Sequence, residues 1–129
     1  MRTASCSCGQ LKVTCAGEPV RVSLCHCLAC QRRTGSTYGA QARWPKEKVM
    51  LTGTPAVYER TGDSGGRIRF HFCPTCATTL YWDIDKMSDT WAIALGAFAD
   101  PSFPPPRVSV YEARKHPWVG TPEHVEHMD

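Results

Sequence analysis

The segment RIRFHFCPTCATTLYWDI (residues 67–84) decides the fold. Two runs rich in aromatic and β-branched residues flank a C-P-T-C motif, a pattern that indicates two β-strands joined by a turn. Cys73 and Cys76 in that turn have the spacing of metal ligands. Because a structural zinc site takes four ligands, two more must come from elsewhere in the chain.

Short strand candidates recur along the rest of the chain. They are LKVTC, VRVSL, STYGAQARW, KVMLT, AVYER, TWAIALGAF and RVSVYEA, and clusters of Gly, Pro, Asp and Ser separate them. Many short strands at regular spacing indicate an antiparallel β fold. The one helical candidate is LACQRRTG, and Gly35 at its end is a suitable left-handed cap. At 129 residues, the chain is predicted to form a single domain spanning residues 1-129.

The composition excludes several classes of protein. A chain that is 42% hydrophobic and 21% charged is typical of soluble globular proteins. The longest apolar stretch, WAIALGAFA, is too short to span a bilayer, and the first residues lack the apolar run of a signal peptide. We therefore expect a cytoplasmic protein with reduced thiols and no membrane partner. The net charge of +3 is scattered, which argues against nucleic-acid binding and suits a small anionic ligand.

Seven of the eight cysteines fall in three clusters. A disulfide framework is disfavoured, because Cα atoms two apart on a strand lie about 6.6 Å from one another, near the limit for a bridge. A C-x-C motif and a C-x-x-C motif from distant parts of the chain can make a closed four-thiolate site, which gives the set Cys6, Cys8, Cys73 and Cys76. The remaining trio is Cys25, Cys27 and Cys30. It is one ligand short, as in catalytic zinc sites that keep an open position.

Spacing leaves other divisions of the ligands open. Cys25 or Cys27 can instead join the C-P-T-C motif, and iron is an alternative metal for a four-cysteine site. His26 lies between two ligand candidates, but on a strand its side chain points away from them, so we interpret it as a neighbour. His71 is a weaker candidate for a ligand.

Cys15 stands apart from the clusters. In LKVTC it shares strand parity with Leu11 and Val13, so its side chain is predicted to lie on the same face as theirs. A cysteine on an apolar face behaves as a small hydrophobic residue, and we predict that Cys15 lies in the core.

The ordered set of motifs resembles a known family. The strings CSCG, CHCLACQRRTGS, FHFCPTCATTLYW, LGAF and HPW resemble, in that order, the glutathione-dependent formaldehyde-activating enzymes and the related centromere protein V. The resemblance implies a mostly β, zinc-containing β-tent of short antiparallel sheets with one short helical turn. It also implies a structural zinc in the four-cysteine set and a second zinc in the trio. One departure is Ala77, where the family usually has glycine.

The resemblance further implies an enzyme of the carbon–sulfur lyase type. Such an enzyme makes or breaks an adduct between glutathione, or a similar thiol, and formaldehyde or another small aldehyde. The trio would hold the catalytic zinc, partly occupied because three ligands bind less tightly than four. Arg32 and Arg33 follow the third ligand and are the predicted substrate-binding residues, with Arg43 and Arg69 as weaker candidates.

Two other functions stay open from the sequence. One is a non-catalytic carrier of glutathione or a similar thiol, because the adduct reaction also proceeds without a catalyst. The other is a zinc-stabilised interaction module that touches nucleic acid or chromatin, against which the mild charge counts. If the chain assembles, a C2 homodimer is the expected form.

Overall fold

The computed structural model describes every residue from Met1 to Asp129. The strands are β1 (Arg2–Ser5), β2 (Lys12–Cys15), β3 (Arg21–Cys25), β4 (Gly39–Pro45), β5 (Val49–Thr52), β6 (Ala56–Thr61), β7 (Arg67–Phe72), β8 (Thr79–Ile84), β9 (Thr90–Ala94), β10 (Val108–Val110) and β11 (Glu126–His127). The helix α1 spans Leu28–Thr34, and four 3-10 turns occupy Lys46–Lys48, Asp85–Met87, Leu95–Phe98 and Glu112–Arg114. The prediction of a mostly β fold with one short helical turn is confirmed.

The strands form two sheets. The small sheet is antiparallel and has the order β1-β2-β5. The large sheet has eight strands in the order β11-β10-β3-β4-β9-β8-β7-β6. All its pairs are antiparallel except at one edge, where β10 runs parallel to both β3 and β11. The single helix, α1, and the short 3-10 turns all lack the length and hydrophobicity that a helical membrane span requires.

One face of the large sheet packs against the small sheet and forms the main core. The small sheet contributes Val13 and Cys15, and the large sheet contributes Ala42, Trp44 and Ile93. All five are fully buried, and alternation along each strand keeps them on the same side. The prediction that Cys15 lies in the core is confirmed, because its exposure is 0%.

Helix α1 is short but well bounded. The Cys27 sulfur accepts a hydrogen bond from the Cys30 amide at 3.2 Å, which caps the first turn. Gly35 ends the helix in the left-handed region at φ 71°, as predicted from the sequence. The Gln31 side chain donates to the Arg114 carbonyl, which ties the helix to the C-terminal part of the chain.

Several predicted strands are shorter than their sequence pattern. TWAIALGAF leaves the sheet after Ala94, because LGAF forms a 3-10 turn that ends at Ala99 with φ 50°. RVSVYEA likewise leaves the sheet after Val110, and Tyr111 has φ 55°. Strand β1 was not predicted, because its few polar residues carry no alternating apolar pattern.

Substitutions at Cys15 test its place in the core. Cys15→Ala should lower the free energy of unfolding by about 1 kcal/mol, because a small cavity replaces the sulfur. Cys15→Ser should cost about 1 kcal/mol more than Cys15→Ala, because it buries a hydroxyl without a designed partner. Urea titrations give both values. Metal content should be the same in all three proteins, and metal loss in Cys15→Ala would contradict a purely apolar role.

Candidate metal centres and the adjoining cavity

The first candidate centre is a cluster of four sulfurs. The sulfur atoms of Cys6, Cys8, Cys73 and Cys76 all lie within 4.8 Å of one another. The Cys6–Cys8 separation is 3.8 Å and the Cys8–Cys73 separation is 3.6 Å between sulfurs. Ligands about 2.3 Å from a tetrahedral zinc lie about 3.8 Å apart, so the donor type and the spacing both fit zinc.

Two similar turns supply these sulfurs. The Cys6 amide donates to the Leu11 carbonyl at 3.1 Å, and the Cys73 amide donates to the Thr78 carbonyl at 2.9 Å, so each turn closes over six residues. The Leu11 and Thr75 amides donate to the sulfurs of Cys6 and Cys73 at 3.2 and 3.4 Å. Such N–H donors stabilise thiolate charge. One turn joins β1 to β2 and the other joins β7 to β8, so the cluster ties the small sheet to the large one.

Protein atoms also hold the two turns together. The Ser7 amide donates to the Thr78 hydroxyl at 3.1 Å, and the Thr75 hydroxyl donates to the Gln10 side-chain oxygen at 3.0 Å. These bonds fix the positions of the turns independently of a metal, so the cluster is partly preorganised.

Ala77 follows the last sulfur of the cluster in a strained conformation. Its φ is 67°, in the left-handed region that favours glycine. The strain is tolerated because the Ala77 amide donates to the Cys73 carbonyl at 2.8 Å and closes the turn. The position where the family usually has glycine therefore does need a positive φ in this chain.

The second candidate centre is a trio of sulfurs at the junction of β3 and α1. The sulfur atoms of Cys25, Cys27 and Cys30 lie within 4.8 Å of one another, and Cys25 and Cys27 are buried. Hydrogen bonds with the Cys25 and Cys30 thiols lower the pKa of Cys27. Hydrogen bonds with the Cys27 and Cys30 thiols raise the pKa of Cys25. Three clustered sulfurs fit a zinc site with one position left for another ligand.

Neither cluster includes a histidine. His26 is fully buried and its Nε2 lies 2.9 Å from the Ser109 hydroxyl, so it contacts β10. His71 stacks on Tyr81 with ring centres 4.6 Å apart and meets the edge of Trp91 at 5.3 Å. Burial lowers the pKa of both histidines.

The grouping of the cysteines coincides with the predicted four plus three, and what each group binds stays a prediction.

A cavity of about 410 Å³ lies against the face of the large sheet opposite the core, and the trio forms part of its wall. Its size is within the range of small-molecule sites, roughly 300–1,000 Å³. Alternate residues of β3 and β4 share this wall. Directly opposite each other are the pairs Cys25–Gly39, Ser23–Gln41 and Arg21–Arg43.

Aromatic and cationic side chains form the other wall. The Arg33 guanidinium lies over the Trp82 ring at 4.2 Å and over the Phe70 ring at 5.3 Å. Arg60 lies over Phe70 at 5.5 Å. A Cβ atom at Gly39 would approach the Arg33 side chain to 2.9 Å, so glycine leaves room for this guanidinium beside the trio.

Unpaired polar atoms concentrate at this cavity. Six buried side-chain nitrogen or oxygen atoms lack a hydrogen-bond partner, and four of them belong to residues that line the cavity: Arg21 Nε, Arg33 Nε, Gln41 Oε1 and Arg43 Nη1. An unsatisfied buried group costs about 1–3 kcal/mol, so such a concentration is typical of a binding site. None of the three arginines forms an ion pair with a carboxylate.

Arg43 is the most deeply placed of these cations. It is only 6% exposed, and burial, followed by repulsion from Arg21, lowers its pKa to about 10. The guanidinium therefore stays charged at neutral pH without a protein carboxylate beside it.

The arginines predicted to bind substrate lie in different places in the structure. Arg33 and Arg43 line the cavity, whereas Arg32 is exposed and is not part of its wall. The structure thus gives the predicted substrate role of Arg32 no support. Arg69 alternates with Phe70 and so points to the opposite face, where it binds Asp83 at 3.2 Å.

Sequence reasoning missed two residues of the cavity wall. Arg21 and Gln41 were not predicted, although Arg21 shares strand parity with Cys25 in RVSLC. This shared parity could have predicted from the sequence that Arg21 lies on the same face as Cys25. Gln41 could be placed only once the pairing of β3 with β4 was known.

The chain is similar to known proteins in sequence and in fold. A sequence profile of the family described as glutathione-dependent formaldehyde-activating enzyme matches residues 1–114. No curated protein matches the chain significantly. Among solved structures, a Rhodobacter sphaeroides protein from a structural genomics programme matches with a TM-score of 0.57 and 15% identity, over 74% of this chain and 85% of its own. At that identity the likeness shows a shared fold.

Replacing Ala77 with glycine tests the strained turn. Ala77→Gly should raise the free energy of unfolding of the metal-loaded protein by about 0.5–1 kcal/mol, because glycine adopts a positive φ without steric cost. Denaturant titration gives the difference. Ala40→Gly in β4, where the backbone is not left-handed, is the matched control and should destabilise the protein by about 0.5–1 kcal/mol. A stabilising effect at both positions, or at neither, would refute the strain argument.

Metal counts in single variants test the division of the cysteines. Cys8→Ser should remove about one zinc per chain and strongly destabilise the fold, because the four-sulfur cluster joins the two sheets. Cys27→Ser should remove the zinc held by the trio, at most one per chain, with a smaller loss of stability, because the serine can still cap α1. Elemental analysis and thermal unfolding give both readouts. Equal destabilisation by the two variants would contradict the assignment of the four-sulfur cluster to a structural site and of the trio to an open site.

Proposed function

The chain belongs to the glutathione-dependent formaldehyde-activating enzyme family, and on that premise we propose that it is a zinc-dependent enzyme of the carbon–sulfur lyase type. Its reaction makes or breaks an adduct between glutathione, or a similar thiol, and a small aldehyde such as formaldehyde. The observation that carries the proposal is the trio of sulfurs in the wall of a 410 Å³ cavity lined by unpaired arginines.

The two clusters suit different tasks. The four-sulfur set at Cys6, Cys8, Cys73 and Cys76 closes a structural site, and the trio leaves one position for a ligand from the cavity. When bound at the trio, zinc supplies a soft Lewis acid whose open position suits a thiol or thiolate. Because three ligands hold a metal less tightly than four, we expect lower occupancy at the trio.

The residues around the trio provide charge and orientation. Arg33 is held by the Trp82 and Phe70 rings. The hydrogen bond with Cys25 lowers the pKa of the Cys30 thiol, but the interaction with Cys27 and burial together raise it, and the nearby Arg33 charge opposes that rise. A cation in this place attracts an anionic thiol substrate and holds it beside the sulfurs.

The chemistry is balanced without a redox partner. In the adduct-forming direction, the thiol sulfur bonds to the carbonyl carbon, the C=O bond becomes a C–O single bond, and the proton lost by the thiol ends on the oxygen. In the reverse direction the C–S bond breaks and the proton returns to sulfur. The cavity contributes by holding both reactants close together, which converts a bimolecular step into an intramolecular one.

A thiol carrier is the second candidate. The cavity wall is rich in groups that bind, namely the arginines and the Gln41 amide, and a carrier needs only these. The interaction-module reading is less well supported, because these arginines converge in a cavity and do not form an exposed stripe.

We also propose the setting in which this activity takes place. Residues 1–129 would act as one domain, since the segment beyond the family match adds β11 to the large sheet and places Met128 in the cavity wall. All eight cysteines are free, so a reducing compartment such as the cytoplasm is the proposed location.

Kinetics with Cys27→Ser test the proposed reaction. The rate of adduct formation or cleavage above the uncatalysed background should fall by about 100-fold or more, because the open metal site loses a ligand. Stopped-flow assays with glutathione and formaldehyde measure this rate. Arg32→Met, which changes an exposed residue outside the cavity, is the control and should keep full activity. A wild-type protein that binds glutathione but gives only the background rate would support the carrier instead.

A further inference from the structure

The large sheet curls around the cavity until segments from its two ends touch. In the order of strands, β10 and β7 are separated by four others, namely β3, β4, β9 and β8. The hydroxyl of Ser64, in the loop between β6 and β7, nevertheless lies 2.6 Å from the hydroxyl of Tyr111, which follows β10. Both residues line the cavity. Their hydrogen bond therefore completes a ring of protein around it.

This closing contact is the weakest joint of the ring. Each neighbouring pair of strands from β10 to β7 is joined by main-chain hydrogen bonds in register. The loop and Tyr111, in contrast, share one bond between side chains. The main-chain bonds of the loop stay within it: the Gly62 amide donates to the Gly66 carbonyl at 2.7 Å, and the Gly65 amide donates to the Gly62 carbonyl at 2.9 Å. Breaking a single side-chain bond is enough to open the ring here.

The loop is the side of the joint that is free to move. Its sequence TGDSGGR contains three glycines, and Gly65 has a φ of 95°. The Ser64 side chain is exposed, and the only other side chain that holds this residue is Lys86, which donates to its carbonyl from the turn after β8. A short exposed segment with so few contacts opens locally at low cost in free energy.

The other side of the joint is fixed. The Glu112 amide donates to the Met128 carbonyl at 2.9 Å, and the Met128 amide donates to the Ser109 carbonyl at 2.8 Å, so β11 holds the backbone around Tyr111. Tyr111 itself has a φ of 55°, a left-handed conformation that is unfavourable for tyrosine. Backbone strain of this kind is concentrated at functional positions. Here it directs a phenol across the cavity toward the loop.

We propose that the loop of residues 62–66 is a gate of the cavity and that the Ser64–Tyr111 hydrogen bond is its latch. The structure described is the closed form. When the latch breaks, the loop moves away from Tyr111 and molecules pass between solvent and the sulfur trio. Asp63 also lines the cavity, so opening carries a carboxylate out of the wall. The gate acts on any molecule that enters, whatever reaction the cavity performs.

Labelling of the sulfur trio with a bulky thiol reagent, N-(1-pyrenyl)maleimide, measures the open fraction. If the loop recloses faster than the reagent reacts, the labelling rate follows the population of the open form. Ser64→Ala should raise the rate at the trio by about 3- to 10-fold, the equivalent of one lost hydrogen bond. Peptide mass spectrometry on the full chain, at matched zinc content, gives the rate for each cysteine. Cys8 is exposed outside the cavity and should label at an unchanged rate.

A double-mutant cycle separates a latch from general loosening. Tyr111→Phe removes the same bond and should give the same acceleration, and the double variant with Ser64→Ala should label no faster than either single variant. Tyr58→Phe changes an exposed tyrosine outside the cavity wall and should leave the rate unchanged. Unchanged labelling of the trio in both single variants would refute the gate. Multiplying effects in the double variant, or an equal rise at Cys8, would refute the latch.

The gate and the proposed reaction can fail separately, because labelling requires no turnover. If the latch variants label faster but the wild-type protein gives no catalytic rate above background, the gate stands and the lyase proposal fails. If catalysis is present and labelling of the trio is the same in wild type, Ser64→Ala and Tyr111→Phe, the reaction stands and the gate fails.

Discussion

The contact between two cysteine-bearing turns is the constraint on which the rest of the structure depends. One turn belongs to the small sheet and the other to the large sheet, and four sulfurs from them lie within 4.8 Å of one another. The small sheet has only three short strands and cannot enclose a core alone. Fixing it against the large sheet buries Val13, Cys15 and Trp44 between them. With four sulfurs committed to this task, the other three clustered sulfurs are left for the cavity.

The sequence predicted the parts of the molecule that depend on local spacing. The C-x-C and C-x-x-C motifs predicted which sulfurs lie together, and parity within LKVTC placed Cys15 in the core. Both inferences need only the geometry of a strand or a turn. The end of α1 at Gly35 is predictable for the same reason, because a left-handed cap is a local property.

The cavity depends on contacts that no local pattern contains. Arg21 and Arg43 meet only because β3 and β4 pair in one particular register. The choice between Arg32 and Arg33 depends on how α1 is rotated, and this rotation is fixed by bonds from Gln31 to Arg114 and His116, more than eighty residues away. Sequence reasoning therefore found that arginines follow the third cysteine but not which one faces the cavity.

The large sheet separates the core from the cavity by the thickness of a single layer of backbone. Trp44 points into the core and its neighbour Arg43 points into the cavity, so the two sides share the same strand. Close packing transmits small displacements through such a layer instead of absorbing them. The affinity of the cavity for its ligand is thus expected to respond to the packing of residues that never touch that ligand. In a family with this architecture, specificity can drift through changes in the core while every residue of the cavity wall stays the same.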